Sequence, residues 1–435
     1  MAIHETSREN GRYCLPPPGP GTLARLHPAR FIPLATTRLN PYNISMPVTR
    51  KQPLGVSEAQ ITQAALDISR LYTQSDLELI LTDKVLPDGW GRSRVWRYHV
   101  EKARAGFPET LIVKISKIGG GHIFNEWASL QFLNQFASLR SLVPAFYGGN
   151  EDLELLVLED LGAVRGENDL GTILEGEDAA LARDALLAHA RNMALLHTTT
   201  AGFEQEFNTL RGKFPAYDRP ISKDQFGDHF AWFLRTVPRF DLDVSRQLEQ
   251  EAQTIIATLR KPNAPRAYTR GDVCPSNIAY SSQKTRFYDF EMGAFRHVLL
   301  SAAYFRISHL SCFNGSLIPL EVQAEAEQAY FQAVAPLIPD PGAYQTDSAA
   351  AATAMLIWIL STSLEKALQK DRPRHLATLR QRIFAALTLY TYHEIFSTAF
   401  SQTAEILNAL RQKLDVQWAE EEKTIPIFTA FQNSP

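Results

Sequence analysis

From Ser57 onward, Ile61, Ala64, Ala65, Ile68 and Leu71 recur at helical spacing, and Gln60 stands three residues after Ser57 as a capping-box partner. The period then shortens. Thr110-Leu111-Ile112-Val113-Lys114-Ile115 is rich in β-branched and apolar residues and reads as a buried strand; Glu154 to Gly162 reads as a strand running into a turn. Between them Gly119-Gly120-Gly121 precedes a helix over residues 123–136, with Ile123, Trp127, Leu130 and Leu133 on one stripe. Beyond Gly162 the pattern is helical over 179–197, 224–234 and 244–259. A loop and hairpin over 266–293 interrupt it, and helices follow over 299–310, 320–334, 349–369 and 374–410, with a turn at Asp340-Pro341-Gly342. Phe226, Phe230, Trp232 and Phe233 read first as core and second as the wall of a pocket; His197 reads as a helix-end residue. No internal repeat is visible.

Residues 1 to 56 differ from the rest. They hold the run Pro16-Pro17-Pro18-Gly19-Pro20-Gly21 and no acidic residue between Glu9 and Glu58, a composition that resists helix and sheet. A flexible extension is expected there. A targeting peptide or an upstream extension before a start at Met46 are the other readings.

Composition narrows the partners. The 435 residues carry 45% hydrophobic and 21% charged side chains, ordinary for a globular protein, and a formal net charge of -3 gives no reason to expect nucleic acid. No apolar run approaches the roughly 20 residues of a membrane span. Cys14, Cys274 and Cys312 form no C-x-x-C pattern, so neither a disulfide framework nor a zinc site is indicated, and a cytoplasmic setting is the default expectation. Residues 151–260 hold 20 acidic and 11 basic side chains. That excess suits either a solvated helical surface or a cationic ligand.

Candidate chemistry concentrates in Thr269-Arg270-Gly271-Asp272-Val273-Cys274-Pro275-Ser276-Asn277 and, on the following hairpin, Phe287-Tyr288-Asp289-Phe290-Glu291. An Asp, an Asn five residues later and an Asp twelve beyond that can catch a hydroxyl proton and hold Mg²⁺ against the phosphates of ATP. Asp272 is the proton acceptor; Asn277 and Asp289 offer oxygens to a hard cation. Glu291 either adds a water-mediated metal contact or caps the hairpin. Upstream, a lysine near the end of a buried strand can project its ammonium into a cleft, which favours Lys114 over Lys117. Glu126, near the first turn of the next helix, either orients Lys114 by an ion pair or makes a favourable dipole contact. One strand earlier, Gly89, Gly91 and Ser93 lie in a turn whose backbone amides either approach phosphate oxygens or close a plain hairpin.

These segments resemble the catalytic and metal-binding motifs of the aminoglycoside phosphotransferase and choline kinase superfamily of small-molecule kinases. The resemblance covers roughly residues 76 to 395. Arg270 stands where that family usually has His, and Ser301 where members often have Asp. The resemblance implies an α+β, protein kinase-like bilobal fold. A nucleotide-binding lobe with its leading helix would span 57–160, and a helical lobe with the catalytic loop, metal site and acceptor site 161–435. It also implies main-chain contacts from Val157 to Glu159 to the adenine edge of ATP. The implied activity is ATP- and Mg²⁺-dependent transfer of the γ-phosphate to a hydroxyl of a small molecule such as an amino sugar or amino alcohol. A nucleotide-binding pseudokinase is the alternative, suggested by Arg270 and Ser301. Nucleotidyl transfer and a protein acceptor are further readings, the last without an Ala-Pro-Glu activation segment to support it. Oligomeric state and acceptor identity leave no mark.

Overall fold

A computed structural model describes residues 55–85, 91–102, 105–117, 121–162, 168–215, 225–281 and 284–432. The proline-rich expectation therefore lies almost wholly outside the described residues, as does Gly89. Helix α1 (Glu58–Thr73) begins at Ser57, whose hydroxyl accepts from the Gln60 amide while the Gln60 side chain accepts from the Ser57 amide. It packs on a five-stranded antiparallel sheet of β1 (Glu78–Lys84), β2 (Ser93–Glu101), β3 (Thr110–Ser116), β4 (Phe146–Asn150) and β5 (Leu155–Glu159), in the order β1-β2-β3-β5-β4.

Two-residue alternation divides the faces of this sheet. On β3, Leu111, Val113 and Ile115 are buried in the cluster that includes Ile61, Ala64 and Ala65 of α1. Ile112 and Lys114, one residue out of phase, line a cleft on the opposite face. Helix α2 (His122–Leu133) follows β3 and carries Glu126 beneath that cleft.

The remainder is helical: α3 (Leu170–Glu175), α4 (Ala179–Thr200), α5 (Glu204–Arg211), α6 (Phe226–Thr236) and α7 (Arg246–Arg260) precede two short antiparallel pairs. Strand β6 (Arg266–Thr269) pairs with β9 (Ala294–His297), and β7 (Ile278–Ser281) with β8 (Lys284–Phe287). Then come α8 (Leu299–Arg306), α9 (Leu320–Val334), α10 (Pro341–Gln369), α11 (Leu379–Tyr392), α12 (Glu394–Ala399), α13 (Ser401–Gln417) and α14 (Thr429–Gln432). A small β-rich lobe ahead of a larger helical lobe is the bilobal kinase-like architecture expected from the motifs.

Two expectations change. Asp340-Pro341-Gly342 is the start of α10 rather than a turn between helices. Asp340 accepts from the Gly342 and Ala343 amides at 3.1 Å, and Pro341 sits where its missing N–H costs nothing. So extended, α10 has 29 residues and is long and apolar enough to cross a membrane, although no continuous apolar run signals it; 78% of its most apolar window is buried inside the protein, against α6, α7, α8 and α11. The expected run over 374–410 is broken into α11, α12 and part of α13, with breaks at His393 and Phe400.

The helical lobe also buries His189, His197 and His309. Burial lowers all three below the usual imidazole range, His197 and His309 to about 3. They are neutral in the folded chain and take up protons only on unfolding. Stability is therefore retained above pH 6.5 and falls as the pH drops toward 5, at a slope approaching about 4 kcal/mol per pH unit for three such groups. Urea unfolding at pH 7.5, 6 and 5 should show this loss well above the carboxylate range; a flat profile down to pH 5 would contradict it.

Candidate active site

The cleft is a cavity of about 490 Å³ bounded by both lobes. Lys114, Glu126, Asp272, Asn277 and Asp289 all line it, as do Gly91, Ser93 and Glu159. Its chemistry rests on three segments.

The first is the lysine strand. Lys114 Nζ lies 2.5 Å from Glu126 Oε2 and 2.8 Å from Asp289 Oδ1. Burial works against the ammonium, but the carboxylates of Asp289, Glu126 and Glu291 outweigh it and hold its pKa well above the usual lysine range. Glu126 is therefore no mere helix-dipole contact. Burial pushes its carboxyl up against the pull of Lys114, and its Oε1 accepts from the Phe290 amide at 3.3 Å.

The second is the catalytic loop. Gly271 has φ +75°, and a Cβ there would stand 2.3 Å from the Met292 carbonyl oxygen, so only glycine passes under the neighbouring segment. Asp272 Oδ1 accepts from the Cys274 amide at 3.2 Å, which aims the carboxylate. Arg270 is buried, donates to the carbonyls of Asp272 (2.7 Å) and Asn277 (3.1 Å), and lies 4.6 Å from the Phe287 ring centroid. It ties the two ends of the loop together. Burial lowers its pKa only to about 10, so it stays cationic.

The third is the hairpin that presents Asp289. The Tyr288 amide donates to the Asn277 carbonyl at 3.2 Å, registering the hairpin against the loop. Asp289 has φ 64°, rare for a residue with a side chain and a conformation that concentrates at functional positions. Burial would raise its pKa, but Lys114, Arg92 and Arg270 pull it below the ordinary range, so the carboxylate is ionised. Asn125 Nδ2 clamps the next residues, donating to the carbonyls of Glu291 and Gly293, each at 2.9 Å. Glu291 pairs with Arg92 of the glycine turn; burial and the Asp289 charge push its carboxyl up to about 7.

The Val157 side chain is fully buried on the α1 side of the sheet, and on β5 it is Leu156 and Leu158 that alternate toward the other face; the contacts expected of Val157 are main-chain ones, which do not depend on that face. Glu159 is at the rim, with its carboxylate held by Arg286 at 2.6 Å and by the Ala145 amide at 2.9 Å. The connector after it is fixed by Asp160, which Arg97 grips through Nε and Nη2 at 2.5 and 3.0 Å. Phe226, Phe230, Trp232 and Phe233 are all core; the wall beside Asp272 is made instead by Met292, Tyr304, Phe313 and Trp358. Those residues come from four separated segments and share no pattern a sequence reading could use.

One contact had no signal in the spacing. Cys274 and Cys312, 38 residues apart, form a disulfide that ties the catalytic loop to the segment after α8. Asp272 lies close to both sulfurs, but joined sulfurs are no metal ligands, so that cluster is no metal site. Closing a loop of this length stabilises by about 2–4 kcal/mol in chain-entropy terms. Cys312→Ser is expected to lower the unfolding free energy by that amount. Reductant should produce the same loss in the parent protein and none in the variant, as read by chemical denaturation.

No family model matches the sequence, and no curated protein matches it either. Solved structures do. An ethanolamine kinase from Plasmodium vivax is similar at 11% identity and TM-score 0.45, over 79% of this chain and 89% of that one. An aminoglycoside phosphotransferase from Alicyclobacillus acidocaldarius is similar at 13% identity and TM-score 0.42, over 77% and 93%. A choline kinase from Cryptosporidium parvum is similar at 12% identity and TM-score 0.40, over 82% and 97%. All three of these solved structures are small-molecule kinases by name.

Proposed function

We propose that the chain transfers the γ-phosphate of ATP to a hydroxyl of a small molecule. The observation that carries this reading is the Glu126–Lys114–Asp289 ion-pair chain, lining one cavity together with Asp272 and Asn277. The ammonium, kept cationic, suits phosphate oxygens, and the connector at Asp160 and Leu161 bounds the region where the base would lie. The donors that line the cleft with Lys114 include an ionised carboxylate on Asp289 and the side-chain amide of Asn277, oxygen ligands that fit Mg²⁺ and not a thiophilic metal. Bound there, the ion would neutralise phosphate charge. Asp272 would orient the acceptor hydroxyl and accept its proton on a carboxylate oxygen.

The pseudokinase alternative drew on Arg270 and Ser301. Arg270 donates to the carbonyls of Asp272 and Asn277 and so holds the loop, which favours the active reading over the scaffold. An ADP-release assay over a panel of hydroxyl compounds, beside a thermal-shift titration with ATP and Mg²⁺, tests the proposal: nucleotide binding without turnover of any acceptor would favour the scaffold. Asp289→Ala is expected to abolish the Mg²⁺-dependent part of the ATP-induced thermal shift. An unchanged Mg²⁺ dependence would remove Asp289 from the metal site.

A further inference from the structure

Beyond the cleft, between α10 and α11, lies a second cavity of about 180 Å³. Ser311 and Trp358 line both, so the two adjoin at the end of the cleft bounded by Phe313. The charges on its wall are all of one sign: Lys366 of α10, Arg374 of the connecting loop and Arg382 of α11, with no carboxylate among the lining residues.

Arg382 is the unusual member. It is 2% exposed, and its two terminal nitrogens donate to the carbonyls of Cys312 and Phe313, while Nε has no partner. No salt bridge to a carboxylate accompanies it among the described residues. Two acids near the cavity in sequence are engaged elsewhere: Glu365 with Arg239, and Asp371 with the amides of Arg372 and Arg380. Burial, and then the positive charge of Arg374, pull the Arg382 pKa down to about 9. A buried guanidinium beside a second cation is costly unless a negative charge joins them, and a planar fork of donors suits carboxylate or phosphate oxygens.

The acidic excess of residues 151–260 does not offset this by favouring a cationic acceptor. Of its members lining the cleft, Glu159 is held by Arg286 and Asp160 by Arg97.

We propose that the acceptor is an anionic hydroxyl compound whose carboxylate or phosphate group occupies the α10–α11 cavity, paired with Arg382, Arg374 and Lys366. Its hydroxyl then extends past Trp358 toward Asp272. The substrate class is thereby a hydroxy acid or a phosphorylated alcohol rather than an amino sugar or amino alcohol. The assignment to an acceptor rests on the kinase reading above; the anion site does not.

The test separates the two. Lys366 and Arg374 are exposed, so Lys366→Glu/Arg374→Glu spares the core; Arg382→Ala risks the fold and is left aside. Calorimetric titration of the full chain with inorganic phosphate is expected to show binding that the double variant weakens at least tenfold. The cleft variant Lys114→Met/Glu126→Gln, which removes the cleft lysine without orphaning Glu126, should leave that binding in place. Phosphate binding that survives Lys366→Glu/Arg374→Glu, or disappears in the cleft variant, overturns the anion site. In the ADP-release assay, hydroxy acids and phosphorylated alcohols are expected to exceed their neutral or amino counterparts by at least tenfold in kcat/KM, with the double variant erasing the difference. Whether carboxylates or phosphates lead in that panel identifies the group bound. A preference for amino alcohols or amino sugars overturns the acceptor class. Phosphate binding lost in the double variant, with no turnover of any acceptor, supports the anion site and overturns the kinase reading alone.

Discussion

Asp272→Asn is expected to lower kcat by about 10²–10⁴-fold, the usual contribution of a positioned proton acceptor, with ATP binding and thermal stability unchanged. The amide is nearly isosteric with the carboxylate, and its oxygen can still accept from the Cys274 amide, so the loop keeps its shape. Only the ability to take a proton is lost. Arg270 holds the loop through the main-chain carbonyls of Asp272 and Asn277 and does not depend on the side chain that changes. Single-turnover measurement with saturating ATP and acceptor isolates the chemical step from product release. A rate within tenfold of the parent would show that the hydroxyl loses its proton elsewhere, and Asp272 would then be a positioning residue.

Lys114→Met is expected to abolish turnover and also to destabilise the fold, and the two effects have different causes. The ammonium is the cation directly between Glu126 and Asp289. Removing it takes the charge that would meet the phosphates, and it leaves Glu126, 2% exposed, as a buried carboxylate without its partner. Breaking a buried pair from one side costs about 3–5 kcal/mol. Adding Glu126→Gln to Lys114→Met removes the orphaned charge, so the double variant should recover most of the stability and none of the activity. Urea denaturation and ADP release, measured on the same three proteins, check this. Equal instability of the single and double variants would mean that Lys114 supports the fold through its aliphatic stem and not through the pair.

How far these groups could be read from residues alone depended on whether neighbours in space were neighbours in chain. Asp272, Asn277 and Asp289 lie within 18 residues, and the β7–β8 hairpin between the last two is local, so their convergence was legible from spacing and turn chemistry. Lys114 and Glu126 were legible through period: a strand of apolar residues with one lysine, then a helix whose first turns face back on the strand. That reasoning stops at the face of the strand. A strand signal places a residue in a sheet without saying which face looks at the cleft, and one step of register separates Val157 from Leu158. The helix starting at Asp340 was hidden by its own punctuation, since Asp-Pro-Gly marks turns and helix starts alike.

Helix and strand periods, a capping box and one dense motif located the strands, the helices and the chemistry-bearing loop, because each depends on interactions between residues a few positions apart; the bilobal plan was implied by the resemblance those motifs carry. The disulfide between Cys274 and Cys312, the contacts of the buried Arg270 guanidinium with the Asp272 and Asn277 carbonyls, and the meeting of Lys366, Arg374 and Arg382 around one cavity were decided by folding. Those contacts join segments whose separation in sequence is set by intervening helices, and only the packing of α8, α10 and α11 determines which side chains come to share a wall.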